Sequence, residues 1–126
     1  MTSATPSLVL VVEDEPIIRI MATEIVEAAG LIAVDAADAL EAITILQSRR
    51  DIRIVFADIN MPGGIDGLQL ASIVRERWPL VELILASGRV PRRDVELPAR
   101  TLFFQKPYRA DDVINALRRL GKAMHD

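Results

Sequence analysis

Apolar positions along the chain follow two alternating periods. Short aliphatic runs at Leu8 to Val12, Leu31 to Val34, Ile52 to Ala57, Val81 to Ala86 and Thr101 to Phe104 read as strands. Between them, apolar residues recur every three or four positions, as on one face of a helix. Ile18, Met21, Ala22, Ile25 and Ala29 make the first stripe. Pro16 opens it, at a position where its missing N–H costs nothing, and Gly30 closes it. Ala39, Ala42, Ile43 and Leu46 make the second, with Asp38 and Glu41 as a capping pair. Leu70, Ala71, Val74 and Trp78 follow Asp66-Gly67 and end at Pro79. Val113, Ala116, Leu117, Leu120 and Met124 form the last stripe, with Asp111 and Asp112 near its positive N-terminal end. Only the stretch from Ser87 to Arg100 breaks the rhythm. Pro91, Pro98 and sparse apolar residues leave room for one or two helical turns at most, at Arg92 to Leu97.

Wholly apolar strands alternating with helices predict an α/β three-layer sandwich: a five-stranded parallel sheet with helices on both faces and a short or irregular fourth helix. One domain spans 8–122, between a flexible N-terminus at 1–7 and a tail at 123–126; the short flanks favour a complete chain over an excised one. Right-handed crossovers bring the strand C-termini to one edge, where ligands bind at a switch in strand order.

Composition narrows the function. An apolar share of 51% argues against disorder, and the absence of cysteine removes disulfides and thiolate metal sites. The apolar runs are too short to span a bilayer, and residues 1–7 lack the basic and apolar stretches of a signal peptide. The expectation is a cytoplasmic protein without membrane insertion. A net charge of −3 argues against direct nucleic-acid binding. Charge is uneven: 6 basic and 13 acidic residues up to Gly88, then 9 basic and 5 acidic. The basic part could meet an acidic partner, although a solvated surface with uneven charge is the favoured account of it.

The polar groups that end the apolar runs carry the chemistry. Glu13-Asp14 follows the first run, Asp58 the third, Ser87 the fourth and Lys106 the fifth. Taken singly, Glu13, Asp14 and Glu15 are explained as a helix cap, and Asp58 with Asn60-Met61-Pro62 as a turn. Their joint occurrence, in order on successive strands, points further. Carboxylates converging at a sheet edge repel one another unless a cation neutralises them. All-oxygen ligands suit Mg²⁺, which takes one or two carboxylates together with phosphate oxygens. A carboxylate beside such a site can act as a nucleophile toward phosphorus.

These segments resemble the receiver domain of two-component response regulators. The matching pieces are Val11-Val12-Glu13-Asp14-Glu15-Pro16, Asp58-Ile59-Asn60-Met61-Pro62 with Asp66-Gly67, Ala86-Ser87-Gly88, and Phe103-Phe104-Gln105-Lys106-Pro107-Tyr108. The resemblance runs from about Leu8 to Leu120. It implies strand order 2-1-3-4-5 and Mg²⁺-dependent phosphoryl transfer from a histidine kinase or histidine phosphotransfer protein. Asp58 would be the phosphoacceptor, with Asp14 a direct metal ligand and Glu13 acting directly or through water. The Asn60 main-chain carbonyl would complete the protein ligands. Lys106 would pair with the phosphoryl oxygens, Ser87 would donate its hydroxyl to them, and Phe103 would be the switch aromatic, unless it is an ordinary core residue. The protein would be no enzyme beyond self-phosphorylation and autodephosphorylation. It would signal to an output protein or act as a phosphate sink, with homodimerisation compatible.

Two departures stand out. Gly63-Gly64 lengthens the loop after Asp58 by one residue, and the span from Ser87 to Lys106 is about three residues short, at the fourth helix. The segment from Gly88 to Arg100, with its four arginines, is expected to be the most mobile part and the most responsive to phosphorylation. Two alternatives are a metal-dependent aspartyl-phosphate phosphatase and a non-phosphorylated scaffold of the same fold. Asn60 stands where such phosphatases usually carry a second acid, which disfavours the first. The complete set of acidic, Ser and Lys groups disfavours the second. His125 reads as part of a solvated tail.

Overall fold

The computed structural model describes residues 7–89 and 96–123. The expected helical turns at Arg92 to Leu97 fall largely, and the start of the N-terminus and the end of the tail wholly, outside the described residues. The elements run β1 (Leu8–Val12), α1 (Pro16–Ala28), β2 (Ile32–Ala36), α2 (Ala39–Ser48), β3 (Ile52–Asp58), α3 (Gly67–Arg77), β4 (Glu82–Ser87), β5 (Thr101–Gln105) and α4 (Ala110–Ala123). All strands are parallel, in the order β2-β1-β3-β4-β5.

Alternation along each strand sorts the core into two layers. Leu10 and Val12 of β1, Val55 and Ala57 of β3, and Leu83 and Leu85 of β4 pack against Leu46 of α2 and Leu70 and Val74 of α3. Their sequence neighbours Val9, Val11, Ile54, Phe56, Ile84 and Ala86 face the other way, onto Ala22 and Val26 of α1 and Val113 and Leu117 of α4. The three central strands are buried on both faces, whereas the edge strand β2 carries the exposed Asp35.

The ends of the elements show what the apolar pattern missed. β2, β3 and β4 run on to Ala36, Asp58 and Ser87, because pairing continues where apolar character stops. In α1 the inward positions are Ala22 and Val26, followed by Ala29 at the C-cap, whereas Met21, a member of the apolar stripe, lies 53% exposed beside Ile17 and Ile20. Asp38 accepts from the Glu41 amide at 2.8 Å, but the Glu41 carboxylate takes the Ala37 amide rather than that of Asp38. A full reciprocal box sits instead at α3, where the Asp66 carboxylate accepts from the Gln69 amide and the Gln69 side chain accepts from the Asp66 amide.

Candidate functional site

β1 lies between β2 and β3, so the connections leaving β1 and β3 diverge at that point and open a crevice above the carboxyl ends of the strands. Glu13 and Asp14 leave β1 there, Asp58 ends β3, Ser87 ends β4 and Lys106 follows β5. Carboxylate oxygens of Glu13, Asp14 and Asp58 all lie within 4.8 Å of one another. Lys106 Nζ reaches between two of them, 3.2 Å from Glu13 Oε1 and 3.3 Å from Asp58 Oδ2. Three acids therefore face one ammonium group.

The floor beneath these charges is apolar, with Ile18, Ala22, Phe56 and Tyr108 lining it. Burial pushes the Glu13 carboxyl up to about 7; a hydrogen bond shared with Asp14 and the nearby Asp58 charge push the same way, against the Glu15 amide and Lys106. Burial also works against the Lys106 ammonium, but the Asp58 and Glu13 charges outweigh it and hold its pKa above the usual lysine value. Burial raises the Tyr108 phenol.

A second layer fixes this geometry. Glu13 Oε2 accepts from the Glu15 amide at 3.3 Å, and the Glu13 carbonyl accepts from Arg19 Nη1 at 2.9 Å. Arg19 is itself paired with Asp35 on β2 at 3.1 Å. Asp58 Oδ1 accepts from the Asn60 amide at 3.2 Å. Gly67 opens α3 directly against the backbone of β3. A Cβ there would collide with the Asp58 carbonyl oxygen and come within 2.6 Å of Ile59 Cα, so only glycine lets α3 start so close to the acid. Gly63 and Gly64, with φ of 86° and 117°, carry the lengthened loop through backbone that L side chains avoid.

Ser87 is near but otherwise engaged. It is 2% exposed, and its Oγ accepts from Asn60 Nδ2 at 2.8 Å and from the Arg89 amide at 3.1 Å. Phe103, half-buried on β5, packs with the layer formed by α2 and α3. The structure thus brings Glu13, Asp14, Asp58 and Lys106 into direct reach and sets Asn60 and Ser87 beside them. Phe103 stays on the strand, in the helix-facing layer. Arg19, Gly67 and the Asn60 side chain were not singled out in these supporting roles. Arg19 and Asn60 act on residues distant in sequence, although Gly67, directly after a helix-capping Asp66, left a local signal.

The donor set is suited to a hard divalent cation. Three carboxylates in one cluster with a single compensating amine leave an excess of negative charge, and every protein ligand atom is oxygen. Among the described residues, no helix is long and apolar enough to cross a membrane.

Residues 9–118 match the family model described as the response regulator receiver domain. The chain is 31% identical over 113 residues to the nitrogen assimilation regulatory protein NtrX of Azorhizobium caulinodans, covering 84% of this chain and 24% of the relative. It is 32% identical over 116 residues to the response regulator protein FleR of Pseudomonas aeruginosa, covering 88% and 24%. It therefore spans about a quarter of the length of these curated relatives. Among solved structures, the response regulator TrrA of Thermotoga maritima, in complex with Mg²⁺ and BeF, superposes with a TM-score of 0.81 at 27% identity, covering 90% of this chain and 98% of that one. A receiver domain protein of Clostridium thermocellum superposes with a TM-score of 0.83 at 21% identity, covering 94% and 97%, and bears on the fold alone.

Proposed function

The chain belongs to the response regulator receiver domain family of two-component systems, and from that premise we propose that Asp58 accepts a phosphoryl group from a histidine kinase or a histidine phosphotransfer protein. The observation that carries this reading is the Lys106 ammonium held between Glu13 and Asp58 with Asp14 in the same cluster. An Asp58 carboxylate oxygen attacks phosphorus, the new P–O bond forms as the donor's P–N bond breaks, and the imidazole leaves. Lys106 stands where it can pair with the phosphoryl oxygens. Glu13, Asp14, Asp58 and the Asn60 carbonyl would hold Mg²⁺, which offsets charge on the transferring group when bound.

The donor must approach over the crevice, and the surface beside it is apolar. Ile17, Ile20 and Met21 on α1 are 73%, 59% and 53% exposed. Next to them a groove of about 400 Å³ runs between Met21, Ile25, Pro107 and Tyr108. Such a patch at the mouth of a site marks a docking surface for the donor. Output would follow from Ser87 turning to the phosphoryl group, with Phe103 repacking on β5, toward a protein partner rather than nucleic acid.

The test is incubation with acetyl phosphate and Mg²⁺, followed by intact mass. A phosphate adduct is expected in the parent protein, none after chelation of the metal, and none in Asp58→Asn. An undiminished adduct in Asp58→Asn overturns the assignment.

A further inference from the structure

The opposite end of the sheet carries a second concavity, of about 560 Å³. It lies where α2 and α3 end and where β3 and β4 begin, one strand length, roughly 20 Å, from the carboxylates. Its floor is apolar, formed by the buried Leu46, Ile52 and Val81. Its rim carries Arg49 and Arg50 from the connection after α2, Arg53 from β3 and Arg77 from the end of α3.

Helix dipoles explain part of this charge. Arg49 caps α2 and Arg77 ends α3, so both complement helix C-termini. Arg49 is further occupied by Asp51, through contacts of 3.2 and 3.0 Å. Arg50 and Arg53 have no such account. They lie beyond α2, and among the described residues no carboxylate is within salt-bridge distance of either. Arg53 Nη1 donates to the Arg50 carbonyl at 3.2 Å, which steadies its arm without neutralising it. Asp51, bonded to Arg49, also attracts Arg53 from a distance, so four arginines with this one acid beside them stand over an apolar floor in a protein whose net charge is −3.

The groove is also preformed. Arg75 Nη1 donates to the carbonyls of Pro79 and Val81 at 3.0 and 2.7 Å, and the Val81 amide closes a turn onto the Trp78 carbonyl at 3.0 Å. These bonds fix the loop that presents Trp78 and the 78% exposed Leu80. A fixed loop reduces the ordering cost of binding.

We propose that this groove docks an acidic peptide segment of a partner protein, with an aliphatic side chain of that segment seated on the floor. The chemistry favours a peptide over a phosphate ligand. A compact polyanion seated in the groove would face the carbonyl groups of two helix C-termini, whereas acids spaced along a chain can meet the arginines at the rim and leave an apolar side chain beside those carbonyls. Carboxylates spaced along a chain match arginines spread around a rim, and the apolar floor requires an apolar anchor.

Trp78 is the sole tryptophan and lines the groove, so its emission reports occupancy. The probe is a tryptophan-free peptide of about 12 residues that alternates Glu or Asp with Leu. A saturable change in Trp78 emission is expected at low salt. Raising salt from about 50 to about 500 mM should weaken binding, and a version with Lys for the acids should not bind. The double variant Arg50→Glu/Arg53→Glu should lose about tenfold or more in affinity, and Arg50→Gln/Arg53→Gln should fall between it and the parent. Both variants should still take phosphate from acetyl phosphate as the parent does, which shows that they fold and keeps this test separate from that of the phosphoacceptor. Three outcomes overturn the proposal: no saturable change at millimolar peptide, equal affinity in the Glu variant, or tighter binding of ATP or a DNA duplex than of the peptide at the same salt.

Discussion

The two ends of the sheet hold their charges in opposite ways. At the carboxyl end, Glu13 is 4% exposed, and each acid touches another acid, Lys106 or a backbone amide. At the amino end, Arg50 and Arg53 stand in solvent with no ion pair among the described residues. Desolvation makes Glu13 and Lys106 depend on their neighbours, so altering one of the facing charges changes the proton affinity of both. Solvent screens the second set, so its members are coupled weakly, mainly through Asp51. One fold therefore supports a site where every member matters and a surface where members act by summed charge.

The contrast can be broken by substitution. The largest effect is expected at Asp58, where Asn should abolish the phosphate adduct seen by mass. Gly67→Ala comes next. Its Cβ meets the β3 backbone rather than a movable side chain, so we expect a loss of about 3 kcal/mol or more in urea unfolding and a lower rate of phosphorylation. Parent-like stability would show that α3 can shift away from Asp58.

A pH titration separates the two ends without mutation. The folded Glu13 carboxyl is raised to about 7 from an ordinary value of 4.5, so the native state binds its proton more tightly than the unfolded chain does. Its contribution to metal-free stability is therefore full below about pH 4.5, falls as pH rises toward 7, and levels off above. The upper bound is about 3 kcal/mol. Glu13→Gln should flatten this slope, and urea midpoints across that range measure it.

Smaller effects follow. Asn60→Ala removes the 2.8 Å bond to Ser87 and should cost about 1 kcal/mol in urea unfolding. Arg53→Ala, on the exposed rim, should change stability by less than about 0.5 kcal/mol. A loss at Arg53 as large as that at Asn60 would erase the distinction between the two ends.

The sequence made one end far more legible than the other. Glu13, Asp14, Asp58, Ser87 and Lys106 each terminate or follow an apolar run, and strand topology then carries them to one edge. That logic needs only periodicity and the rule that parallel strands end together. It fails where side chains reach across the fold. The bond from Asn60 to Ser87 joins residues 27 apart, and the guanidinium of Arg75 reaches Ala99 and Arg100 as well as Pro79 and Val81. Neither leaves a local pattern. Met21 shows a different failure. Its apolar character fits an inward stripe, but Ala22, Val26 and Ala29 fill the contact with the sheet and leave Met21 outside with Ile17 and Ile20. Hydrophobicity marks burial and docking surfaces alike, and periodicity cannot separate them.

The hydrogen bond between Asn60 and Ser87 ties together the loops that leave β3 and β4. The serine oxygen already accepts two N–H groups, one from the loop after β3 and one from its own loop. Its hydroxyl proton is still free to donate, so the turn toward a phosphoryl group on Asp58 proposed above need not break either contact. A bond of about 1 kcal/mol biases the resting place of the Ser87 loop several-fold without locking it.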